Sequence, residues 1–100
     1  MPQPQFLDVD PRRLHLPGSR LGGADPYKLQ QQIVRFGTSQ VGMPPPWVYR
    51  GSDGALMLSD GVTRATRIAM LCPGATIRVE VVRTVRVPLG HFPTIGDLPP

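Results

Sequence analysis

The stretch Ala55-Leu56-Met57-Leu58-Ser59-Asp60-Gly61-Val62-Thr63-Arg64-Ala65 changes its period in the middle, and that change decides the fold. Ala55 to Ser59 is a short β-favouring run, and Asp60-Gly61 punctuates it. Val62, Ala65, Ile68, Ala69 and Cys72 then recur at helical spacing until Pro73-Gly74 stops them. The reading is strand, turn, helix, with glycine where the backbone must come close to something. Upstream, Trp47-Val48-Tyr49-Arg50 reaches the same strand through Gly51-Ser52-Asp53-Gly54, which predicts a hairpin. Downstream, Thr76 to Val81 alternates, with Ile77, Val79 and Val81 on one face and Arg78 and Glu80 on the other: a half-buried strand whose pattern extends towards Val87.

Further out, Phe6-Leu7-Asp8-Val9 reads as an opening strand closed by Asp10-Pro11. Asp25-Pro26 starts a helix of about eleven residues, with aspartate as cap and proline preset at the first helical position. Leu29, Ile33 and Phe36 form its apolar stripe, and Gly37 supplies the left-handed stop. So short a helix is marginal alone, and its stripe is expected to pack on the sheet. The expected fold is α+β: one domain over 1–100, a mixed sheet of about four strands packed by two or three helices, with irregular ends at about 1–5 and 88–100.

Composition agrees. A chain of 100 residues, 40% hydrophobic, supports one core and not two. Eleven glycines and thirteen prolines approach the level of disordered chains, but between Trp47 and Val87 the only proline is Pro73. The lone Cys72 makes no internal disulfide, and no apolar run has the length of a membrane span or the layout of a signal peptide, so a reduced, cytoplasmic protein without a membrane partner is expected. Of eleven basic residues against seven acidic, ten are arginine, whose fork suits phosphate.

The turn at residues 60–64 carries the chemistry. The first amides of a helix lack carbonyl partners and the helix dipole is positive there, so the site favours an anion. Gly61, Val62 and Thr63 are read as the source of amides and a hydroxyl for phosphate, and Arg64 and Arg67, three apart, as the source of charge. The same two arginines also fit the solvated face of an amphipathic helix, and pattern alone does not separate the readings. Asp60 is either the cap of the helix or a base or metal-holding carboxylate. His91, if the tail folds back, is the candidate general base, while His15 and His91 lack companions for zinc. Trp47 and Tyr49 share a strand face and suit either the sheet surface or stacking on a base.

The opening strand, the glycine-terminated helix, the Gly42-Met43-Pro44-Pro45-Pro46-Trp47-Val48 lead, the Asp60-Gly61-Val62-Thr63-Arg64 turn and the closing strand at 77–82 together resemble the ParB/sulfiredoxin-like (ParB-like nuclease) domains. The resemblance spans most of the chain and implies an α+β fold whose Asp-Gly-x-x-Arg turn binds the phosphates of a nucleotide or nucleic acid, with nuclease or nucleotide hydrolase activity as an extension. A divalent metal arriving with the nucleotide is the only cofactor it admits. Sulfiredoxins carry a catalytic Cys and a His between the glycine and the arginine, where this chain has Val62 and Thr63, so their chemistry is not expected. Chromosome-partition ParB proteins carry a metal-holding Glu at the position of Val62 and a helical DNA-binding domain for which this sequence has no room. Two further classes stay open, a toxin-type effector domain and a non-catalytic module with a protein partner.

Overall fold

The computed structural model describes residues 3–99. Its elements run β1 (Gln5–Val9), α1 (Pro26–Phe36), β2 (Trp47–Arg50), β3 (Leu56–Asp60), α2 (Val62–Leu71) and β4 (Ile77–Thr84), with single 3-10 turns at Pro11–Arg13, Gly18–Arg20 and Ile95–Asp97. The strands form one mixed sheet in the order β1-β4-β2-β3. The β1/β4 and β2/β3 pairs are antiparallel and the β2/β4 pair is parallel. This is the α+β class expected, with four strands and two α-helices, and no helix among the described residues is long and apolar enough to cross a membrane.

Local chemistry accounts for the ends of α1. The Asp25 carboxylate accepts the amides of Tyr27 and Lys28 at 2.9 and 3.0 Å, and Gly37 leaves the helix at φ 54°. The stripe behaves differently from the expectation. α1 buries none of its residues fully and packs chiefly on α2, not on the sheet. Sheet and α2 instead close over Val48, Leu58, Ala65, Ile68, Ile77 and Val79, joined by Leu14 and Leu16 from the segment between β1 and α1. Each fully buried Val, Leu or Ile side chain among these contributes about 1.5–3 kcal/mol relative to exposure.

The C-terminal segment is not a loose loop. Leu89 and Ile95 are buried, Thr94 bridges to His15, and Asp97 closes a capping box with Thr94. Of the ends expected to be irregular, residues 1, 2 and 100 lie outside the described residues. The segment is held where β2 turns into β3: the Asp53 carboxylate accepts the amides of Ala55, Leu89 and Gly90 at 3.1, 3.2 and 2.8 Å. The Gly90 amide first, then that of Leu89, holds the Asp53 carboxyl below its ordinary value of 3.8. A depressed carboxyl stabilises the fold above its ordinary value, and this stabilisation is lost as pH falls through the lowered one. Asp53→Asn is therefore expected to speed amide hydrogen exchange at residues 89–92 at neutral pH and to flatten the loss of thermal stability below about pH 4. Unchanged exchange at Leu89 and Gly90 would contradict this assignment.

Candidate functional site

β3 ends at Asp60, the chain turns through Gly61 at φ 94°, and α2 begins at Val62. Only glycine fits here: a Cβ would stand 2.7 Å from Arg64 Nη2 and 2.8 and 3.0 Å from Cβ and Cα of Pro46. Gly61 is the N-cap and has no side chain to offer, so the amides of Val62, Thr63 and Arg64 have no protein acceptor among the described residues. Asp60 does not cap the helix. Its side chain, 64% exposed, accepts from Arg64 Nη2 at 3.3 Å instead, a pair between residues four apart in which the carboxylate stays open to solvent.

These amides open into a cleft of about 300 Å³. Its floor is the Ser59–Arg64 turn, and its facing wall is Lys28 and Gln32 of α1 with Ser19 and Arg20 of the preceding 3-10 turn. Three cations, Arg20, Lys28 and Arg64, line it against one carboxylate, Asp60. Gln32 Oε1 and Arg64 Nε, buried atoms of residues that line both this cleft and the adjoining apolar pocket beside Phe36, Met43 and Arg67, have no hydrogen-bond partner among the described residues. Buried polar atoms are normally paired, so these mark hydrogen-bonding capacity that the protein's own packing does not use. Arg20 and Lys28 also lie near Asp25, whose carboxyl is held below its ordinary value first by the Lys28 amide and to a smaller extent by those two charges.

Of the residues singled out by the sequence, Asp60, Gly61, Val62, Thr63 and Arg64 come together here. Two others do not. Arg67 is 1% exposed and points away into the packing between α2 and the loop after α1, where Nη1 donates to the carbonyls of Gly37 at 2.6 Å and Ser39 at 2.8 Å and Nη2 meets Met43 Sδ at 3.4 Å. It caps the end of α1 and supplies no charge to the cleft. His91 stacks on Phe92 at 4.4 Å, in the segment that Asp53 holds. That is the hairpin end of β3, and Asp60 is at the other end, four residues or about 13 Å further along at roughly 3.3 Å per residue. His91 is therefore not a base for this turn.

Sequence reasoning missed the facing wall. Lys28 and Gln32 are four apart and so share a face of α1, a spacing that was visible; what was not visible is that this face lies across from the turn, because α1 leans on α2. Among the described residues no group of three or more His, Cys, Asp or Glu side chains is placed to hold a metal. Comparison of the chain with protein-family models, with curated proteins and with solved structures finds no match.

Proposed function

We propose that this chain is a phosphate-binding domain of the ParB/sulfiredoxin type that takes the phosphate of a nucleotide or nucleic acid in the cleft at the start of α2. The observation carrying this reading is that unpartnered helix amides and three cations converge on one polar cleft with a single opposing carboxylate. In it, the amides of Val62 and Thr63 and the Thr63 hydroxyl receive the phosphate oxygens. Arg64 turns from the exposed Asp60 towards the anion, since a charge-assisted bond to phosphate in a half-closed cleft is stronger than a solvated ion pair. Lys28 and Arg20 complete the ring from the other wall. Asp60, released from Arg64, is the group on this turn able to hold a divalent cation brought by the nucleotide or to activate water, and hydrolysis is the extension it permits.

Calorimetric titration with nucleoside mono-, di- and triphosphates and with 5′-phosphorylated oligonucleotides tests the reading. Arg64→Ala and Lys28→Ala are each expected to weaken binding about tenfold, the scale of one charge-assisted hydrogen bond, with little change in melting temperature. Absence of binding at millimolar ligand, or affinity indifferent to both substitutions, would remove it. Asp60→Asn is expected to keep binding and to abolish any turnover.

A further inference from the structure

A second, smaller pocket of about 180 Å³ adjoins the cleft and shares Gln32 and Arg64 with it. Its other walls are Phe36 at the end of α1, Val41, Met43 and Pro44 of the loop that follows, and Arg67 of α2. Apart from Gln32 and the two arginines this lining is apolar, and no lining residue is acidic.

Arg67 is the unusual member. Arginine is seldom fully buried unless its charge is paired. Arg67 is 1% exposed and forms no ion pair among the described residues. Two carbonyls occupy its Nη1, and the Phe36 ring centre lies 5.5 Å from its Cζ, but none of these carries a negative charge. The edge formed by Nε and Nη2 is the fork that grips a carboxylate with two parallel bonds. Here Nε has no acceptor, and Nη2 has the thioether of Met43 at 3.4 Å, a weak one. Arg64, three residues earlier on the same helix, adds a second buried Nε without an acceptor, and its ion pair is with Asp60, which lines the cleft and not this pocket.

Two guanidiniums beside an apolar lining, with no acid among them, complement a compact organic anion. Inorganic phosphate would leave the walls of Phe36, Val41 and Pro44 uncovered, and a neutral ring would cover them but leave the buried charge uncompensated. Size agrees, since a cavity of about 150 Å³ holds benzene and this one is somewhat larger. We propose that this pocket binds a small organic monocarboxylate, with its carboxylate on the Nε/Nη2 edge of Arg67 and its apolar body against Phe36, Val41 and Pro44. Met43 gives way to it, because its side chain is flexible and its sulfur holds the fork weakly. Gln32, whose Oε1 is unpaired, presents Nε2 to the carboxylate after a half-turn of its amide. The phosphate reading is not needed here, because Arg67 does not line the cleft.

Benzoate added to the full chain is expected to shift the Nε–Hε resonances of Arg64 and Arg67 and the methyl resonance of Met43 along one saturating curve, in the millimolar range open to so small a ligand. Benzamide and benzyl alcohol, which keep the ring and lose the charge, should bind at least about tenfold more weakly. Arg67→Ala is expected to destabilise the fold, so the decisive variants lie elsewhere. Gln32→Glu, at a half-buried position, and Val41→Glu, at one 90% exposed, each put a carboxylate at the pocket and should weaken benzoate binding about tenfold and about threefold respectively. Lys28→Ala, which lines the cleft alone, should leave benzoate binding unchanged even where it weakens phosphate binding, so the two readings fail separately. Absence of a saturable shift at about 20 mM benzoate, equal binding of benzamide, indifference to both glutamate substitutions, or displacement of benzoate by equimolar inorganic phosphate would each overturn the proposal.

Discussion

Arg67→Ala is expected to destabilise the domain by about 3–5 kcal/mol, seen as a fall in melting temperature of about 15 °C or more. The reason is that this guanidinium closes the structure around it. Its Nη1 is the donor to the carbonyls of both Gly37 and Ser39, at the point where α1 has ended and its last carbonyls lack helical partners. Each of these half-buried carbonyls loses a charged donor, worth up to about 1.5–3 kcal/mol, and the vacated volume beside Phe36 and Met43 adds a packing loss. Part of this is offset, since the substitution also removes a buried charge that pairs with no carboxylate among the described residues. Arg67→Met tests the division of roles: it fills the space yet donates nothing, so it should recover the packing part only. If Arg67→Ala melted within about 2 °C of the parent chain, the capping role would be wrong.

Gly61→Ala is expected to fail in two separate measurements. Holding alanine at φ 94° costs roughly 1–3 kcal/mol, and its methyl would stand 2.8 Å from Pro46 Cβ and 3.0 Å from Pro46 Cα, so β2's entry and the turn cannot both keep their places. The same methyl would lie 2.7 Å from Arg64 Nη2 and push the guanidinium off its present course. Stability and phosphate affinity should therefore fall together, whereas Arg64→Ala lowers affinity alone. A Gly61→Ala chain with full affinity would show that the turn is not where the anion sits.

The parts of the fold that could be read in the sequence are those governed by local chemistry. Asp25-Pro26 and Gly37 bracket α1 to the residue because a cap, a preset φ and a left-handed stop act over one or two positions. The hairpin loop, the turn at Gly61 and the alternation of β4 are local in the same sense. What escaped reading depends on contacts distant in the chain. Leu14 and Leu16 sit in a segment without a period, and they are core because the strand edge and the C-terminal segment fold around them, through His15 to Leu56 and Leu58 and through Leu16 to Pro93. Arg67 lies three residues from Arg64 on the same helix, yet one reaches the cleft and the other is sealed beneath the loop after α1. The sequence offers Arg67 as a phosphate ligand or as part of a solvated face, and the loop that covers it leaves no mark in the pattern. Half of the candidate site was legible for the same reason: the turn is local, and the wall of Arg20, Lys28 and Gln32 is not.

The sheet order has a further consequence for how the chain reaches its shape. Among the described residues β1 pairs only with β4, Gln5 with Val81 and Val9 with Ile77, so β1 has no partner until β4 exists. During translation it must wait while nearly everything between emerges, and the ordering entropy of that long closure is spent in one late step. A nascent chain halted before residue 77 can form its hairpin and helices but leaves Phe6 to Val9 unattached, an apolar strand available to any neighbour, and assembly finishes only when the last strand arrives to join both halves.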